Sequence, residues 1–202
     1  MFTADTGGNV SRVVHLYHFE DYRARDATRR AAATNADWQR YTDAARSCIL
    51  TKESTILLQA PADVYAAAGI GCASAFKAAV PSVSGGAAAG GPDDQVVYEL
   101  RNYRLRPGRN GVKALMAAFK TGLPSKLAAD GVGQLALLAH SDVGLLNQVF
   151  EVYRYPSAQH LIESCERSRG AAEWQEAKAK AYELCEQFHI SFLHPTRFSR
   201  WQ

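Results

Sequence analysis

A segment near the N-terminus and another near the C-terminus repeat each other without a gap, 136 residues apart. Phe2-Thr-Ala-Asp-Thr-Gly-Gly8 lies over Leu138-Ala-His-Ser-Asp-Val-Gly144, Val13-Val-His-Leu-Tyr17 over Val149-Phe-Glu-Val-Tyr153, and Ala36-Asp-Trp-Gln39 over Ala172-Glu-Trp-Gln175. Self-similarity held at one separation over roughly forty positions predicts two copies of a single supersecondary unit. This limits the fold more than any local propensity does, because whatever the second copy builds the first must also build.

The second copy reads as complete. Gln95 to Tyr103 alternates as a strand, with Val97, Glu99, Arg101 and Tyr103 on one face. Pro107-Gly108 stops it, and Val112, Leu115, Met116, Phe119 and Leu123 then recur at helical spacing, with Pro124 expected to break or kink the helix. Residues 133–140 and 147–155 read as a hairpin, followed by helical runs to about 184 and a short last strand at 190–193. The order β-α-β-β-α-β predicts an α+β, ferredoxin-like fold. Val97, Tyr103, Val149, Tyr153 and Tyr155 are expected on the sheet face away from the helices. Such an apolar face calls for a second sheet, so the two repeats are expected to pair sheet to sheet as a barrel.

The first copy opens inside what its counterpart predicts to be the second strand. It continues through a strand at 12–19, a helical region at 20–48 and a strand at 55–58. It lacks strand one, helix one and most of strand two. The boundaries that follow are a partial domain at 1–60, an Ala/Gly/Pro-rich linker at 61–94 with a short helix over 64–80, and a complete domain at 95–202.

The ordered set Tyr98-Glu-Leu-Arg-Asn-Tyr103, Pro107-Gly108, Leu123-Pro124, Gly144-Leu-Leu-Asn-Gln148, Tyr153-Arg-Tyr155 and Glu173-Trp-Gln175 resembles the NIPSNAP family. Phe2 to Gly7, Val13 to Tyr17, Asp37-Trp-Gln39 and Glu53 to Leu57 resemble the second part of the same domain. The resemblance implies a dimeric α/β-barrel type of domain, found in tandem and associated with mitochondria in eukaryotes. It implies interaction or scaffold proteins more than enzymes. Two departures stand out, the shortened leading copy and the missing targeting segment that eukaryotic members carry.

Composition excludes several classes. The net charge of +3 is near balance. The arginine-rich stretch from Arg23 to Arg46 is interleaved with Asp26, Asp37 and Asp43, which reads as a solvated helix face rather than a nucleic-acid surface. No apolar run reaches the 18 or so residues of a membrane span. Cys48, Cys72, Cys165 and Cys185 lack zinc or disulfide spacing, and Cys165 and Cys185 read as buried thiols. No cofactor is implied.

The polar residues that could converge are Glu99, Arg101 and Glu151, with His15 and Tyr17 at the first-copy positions of Glu151 and Tyr153. On the barrel-facing side they would form either a compact ligand site or an internal ion pair. Trp38, Tyr41 and Trp174 read as core anchors. Arg197, Phe198, Arg200 and Trp201 are enriched in interface residue types, so the C-terminal tail reads as an interface anchor or as a segment packed on its own domain. The function expected is a non-catalytic accessory subunit or scaffold of a larger mitochondrial assembly, such as a respiratory-chain complex. Its partners are proteins: a separate chain completing the first copy, or self-association. A small-molecule binder or enzyme of the α/β-barrel class is the alternative.

Overall fold

Alternation at 97–105 produces the central strand of the sheet in a computed structural model that describes residues 1–70 and 95–201. Strand β4 (Val97–Leu105) buries Val97, Glu99, Arg101, Tyr103 and Leu105 on one face and leaves Leu100, Asn102 and Arg104 half-buried on the other. Helix α4 (Gly111–Asp130) follows, carrying Leu115, Met116, Phe119 and Leu123 on its buried stripe. It continues through Pro124 and ends at Gly131, whose φ of 68° suits the left-handed cap and whose N–H donates to the Leu127 carbonyl. Strands β5 (Gln134–Val143) and β6 (Gln148–Tyr155) form a hairpin. Helix α5 (Ala158–Arg167), a 3-10 turn (Ser168–Gly170) and α6 (Ala172–Leu184) precede β7 (Cys185–Pro195), a much longer strand than the sequence predicts.

These four strands lie in the order β7-β4-β6-β5, antiparallel throughout. The first-copy strands do not make a sheet of their own. Strand β1 (Phe2–Thr6) pairs with β7 and carries β2 (Val13–Val14), whereas β3 (Ile56–Gln59) pairs with β5, giving one sheet of seven strands, β2-β1-β7-β4-β6-β5-β3. The expected meeting of two sheets face to face is therefore corrected to a meeting edge to edge. Backbone hydrogen bonds, rather than side-chain interdigitation, join β1 and β3 to the four-stranded sheet.

The two junctions match residue for residue. At one, Phe2, Thr3, Ala4 and Thr6 face Pro195, His194, Leu193 and Phe192, with Asp5 skipped. At the other, Ala139, His140, Ser141 and Val143 face Gln59, Leu58, Leu57 and Ile56, with Asp142 skipped. Phe2 thus corresponds to Ala139, a separation of 137, while Val13 and Val149 remain 136 apart. The ungapped repeat is corrected by one extra residue in the first turn. Gly7 and Gly144, both at positive φ (85° and 117°), are the true counterparts. A side chain on Gly7 would meet the Ile190 carbonyl oxygen.

The core lies between β4–β7 and the helices: Tyr103 packs on Phe119 and Phe188, and Phe119 on Trp174. Each such side chain contributes about 1.5–3 kcal/mol by leaving water. Short helix α3 (Ala62–Ala67) anchors this layer through Tyr65, whose hydroxyl donates to the Leu138 carbonyl at 2.6 Å and accepts from the Leu138 N–H at 2.8 Å. The rest of the helix expected at 64–80, the Gly-rich linker and Cys72 lie outside the described residues. The face prediction is reversed: Val97, Tyr103, Val149, Tyr153 and Tyr155 pack under the chain's own helices.

Residues Leu16–Ser54 are a second compact unit, distinct from Met1–His15 with Thr55 onward. The strand expected over 12–19 stops at Val14, and the helical region is two helices, α1 (Tyr22–Thr34) and α2 (Ala36–Arg46). Asp21 caps α1 by accepting from the Ala24 N–H, as Ser157 caps α5 through the His160 N–H, again 136 residues on. Neither α1 nor α2 buries a single residue. Their arginines pair locally, Arg25 with Asp26, Arg40 with Asp37 and Arg46 with Asp43.

Candidate functional site

The alternation of β4 and β6 brings Glu99, Arg101, Tyr103, Glu151, Tyr153 and Tyr155 onto one face, and α4 covers them with Lys126 and Asp130. Glu99, Glu151, Lys126 and Asp130 are each 1% exposed or less, and Arg101 is 8% exposed. The sequence expectation of a barrel-facing cluster is corrected. It lies on the helix side of the sheet, sealed from solvent.

Arg101 is the hub. Its Nε lies 2.9 Å from Glu99 Oε1, off the axis of a hydrogen bond, and its Nη1 lies 3.8 Å from Glu151 Oε2. The hydroxyls of Tyr103 and Tyr153 donate to Glu151 at 2.6 and 3.0 Å. Lys126 Nζ sits 3.9 Å from the centre of the Tyr153 ring and 3.3 Å from Asp130 Oδ2. Asp130 also accepts from Ser164 Oγ at 2.5 Å and from the Gly133 N–H at 2.9 Å.

Three carboxyls thus share two cations, and the environment adjusts their protonation. Burial raises Glu151 above the ordinary carboxylate value, with Arg101, Tyr103 and Lys126 offsetting only part. Burial, helped by Arg101, lowers Lys126 despite the nearby carboxylates. For Asp130 burial also works upward, but the donors Ser164, Gly133 and Lys126 outweigh it and hold the acid below its usual value. Arg101 stays charged. Such a buried network holds a sheet and a helix in register.

His15 and Tyr17 are not part of this cluster. Both are exposed, Tyr17 by 65%, although its counterpart Tyr153 is fully buried. Trp38 and Tyr41, read as core, are likewise exposed, while Trp174 is buried. Of the proposed tail anchors, Arg197, Phe198 and Arg200 are exposed. Trp201 instead packs on its own domain, stacked on Tyr98 at 5.6 Å and edge-on to Phe2 at 5.8 Å. Of the thiols, Cys185 is buried, Cys165 partly so and Cys48 exposed.

Sequence reasoning missed a polar set on the opposite face of the sheet. Arg12 Nη2 donates to Ser191 Oγ at 2.9 Å, and Ser191 Oγ donates to the Gly7 carbonyl at 2.8 Å. Arg12 Nε and Asn102 Oδ1 are buried there without hydrogen-bond partners. Nothing short of the β1–β7 pairing could have joined residues 179 positions apart. Tyr98, on this face, has its hydroxyl pushed up to about 12 by burial, with Arg154 opposing. Among the described residues no group of three or more His, Cys, Asp or Glu side chains converges as a metal set, and no helix is long and apolar enough to cross a membrane.

The family model NIPSNAP matches residues 1–62 and 98–200, most of the chain. The chain belongs to the NIPSNAP family. Protein NipSnap homolog 3B of Mus musculus is 24% identical over 198 residues, 98% of this chain and 70% of that protein. A NIPSNAP family protein of unknown function from Agrobacterium tumefaciens aligns in structure at 22% identity and a TM-score of 0.48, covering 55% of this chain and 96% of its own. A NIPSNAP-like domain protein from Burkholderia xenovorans does so at 26% and 0.46, covering 52% and 90%.

Proposed function

We propose that this NIPSNAP protein is a non-catalytic interaction protein, an accessory subunit or scaffold of a larger assembly, with mitochondria as its compartment by family association. On this reading residues 1–60 and 95–202 are two copies of one ferredoxin-like domain, the first without its opening strand and helix among the described residues.

The observation that carries the proposal is the contrast between equivalent residues. Val13 is 48% exposed and Val149 buried; Trp38 is 43% exposed and Trp174 2%. The same residue types at the same repeat positions are core in one copy and surface in the other. Apolar residues selected for packing but left in water mark a surface that a partner covers. The sealed charge network argues in the same direction, since a catalytic cluster needs access to substrate.

The test is native isolation with identification of co-purifying chains. Recovery within a large complex supports the reading. A discrete small oligomer whose small-molecule binding disappears on combined Arg101→Met and Glu151→Gln substitution would sink it in favour of the ligand-binding alternative.

A further inference from the structure

We infer that the groove between α1 and α2 is a docking site for an amphipathic helix of a partner polypeptide, a helix of the same kind as α4. The inference rests on the assembly reading above and names the element that the partner brings.

The groove lies wholly within the Leu16–Ser54 unit and is lined by Thr28, Ala31, Ala32, Asn35, Trp38 and Tyr41. Adding 136 to Thr28, Ala32, Asn35, Trp38 and Tyr41 gives Ser164, Ser168, Ala171, Trp174 and Ala177, all buried, while Ala31 and Asp37, which also line the groove, fall on exposed Arg167 and Glu173. Three of these grip α4 directly. Ser164 donates to Asp130, Trp174 packs on Phe119 at 5.8 Å and sends its N–H to Ser125 Oγ at 3.1 Å, and Ala177 lies against Gly122. The groove is thus the α4-binding surface of the repeat, present in the first copy without its helix among the described residues.

Two substitutions adapt it to standing alone and to a different occupant. In the second copy α6 has no side-chain cap, and Trp174 N–H depends on Ser125 of α4. In the first copy Asn35 supplies that bond itself, accepting from Trp38 N–H at 2.8 Å, so the helix pair is capped before any partner arrives. Ala177, which needs a glycine opposite, is replaced by Tyr41, whose ring lies 5.5 Å from that of Trp38. The docking helix must therefore leave more room at that point than α4 does. Trp38 provides the aromatic anchor, and Thr28 stands where a hydroxyl meets an acidic residue at the helix end.

The experiment uses the full chain and, as probe, a labelled synthetic peptide of residues 110–132, read by fluorescence anisotropy. Tyr41→Ala restores the small residue facing Gly122 and is expected to tighten binding by about tenfold or more over the unmodified chain; Trp38→Lys is expected to abolish it. Because neither helix buries a residue, circular dichroism should be unchanged in both variants. Equal binding by all three chains overturns the inference, as does a homodimer that Trp38→Lys dissociates, which would put a second copy in the groove. Native complexes that retain the Trp38→Lys chain also overturn it while leaving the assembly reading standing. A native chain found alone removes both.

Discussion

Arg101 neutralises two buried carboxylates at once, so its removal costs more than the ion pairs are worth. Arg101→Met would leave Glu99 and Glu151 facing each other in a dry site, and a loss of about 3–5 kcal/mol is expected in urea unfolding. Adding Glu151→Gln should recover part of it, because one of the stranded charges goes. A double-mutant cycle that came out additive would show that the pair is not coupled. Asp130 gives the complementary test in pH. Its folded value lies below the unfolded 3.8, so its contribution is fully present above that pH and is lost as pH falls through the folded value. Asp130→Asn should cost about 1–3 kcal/mol at neutral pH, and the deficit should shrink below about pH 4. Melts at pH 3 and pH 7 check this. Glu151, shifted the other way, adds no loss in acid: its protonated form is the one that burial favours.

At the scale of elements, the helices were legible because the repeat carries them. Tyr22–Thr34 moved by 136 residues falls on 158–170, the range of α5 with its 3-10 turn, and caps coincide at Asp21 and Ser157. Strand faces were less legible. Alternation separates Glu99 and Arg101 from Leu100 and Asn102, but only the position of α4 decides which set is covered. A charged set is the less obvious candidate for the dry side. The one-residue slip at Gly7 was hidden because Gly7-Gly8 aligns with Gly144 either way, and only backbone pairing fixes register. The strand expected at 12–19 pairs only through Val13 and Val14, which face Thr3 and Phe2, because β1 offers it no longer ladder. The contact of α4 with α6 is the tightest helix crossing to test. A methyl group on Gly122 would come 2.5 Å from Ala177 Cβ and 3.0 Å from the Glu173 carbonyl oxygen. Gly122→Ala should therefore destabilise by about 1–3 kcal/mol despite alanine's better helix propensity, as thermal unfolding would report. A stabilised variant would mean that the helices separate easily.

For the whole molecule the two units differ in what holds them. Helix α4 alone buries seven residues, whereas α1 and α2 bury none. Their ion pairs are largely exposed, and such pairs contribute a few tenths of a kcal/mol at most. Opening of Leu16–Ser54 should thus need far less free energy than unfolding of the sheet unit. Native-state hydrogen exchange would detect this as amides of residues 22–46 exchanging by local opening, well ahead of those in β4 and β6. Trypsin should cut first among Arg23, Arg29, Arg30 and Arg40, and leave the described sheet unit resistant. Addition of the 110–132 peptide to the Tyr41→Ala chain should slow both events in residues 22–46 and leave β4 unaffected, since ligand binding stabilises only the states that bind. Uniform protection across both units without the peptide would show that the first-copy helices are already covered, and that their exposed tryptophan and tyrosine mark no vacancy.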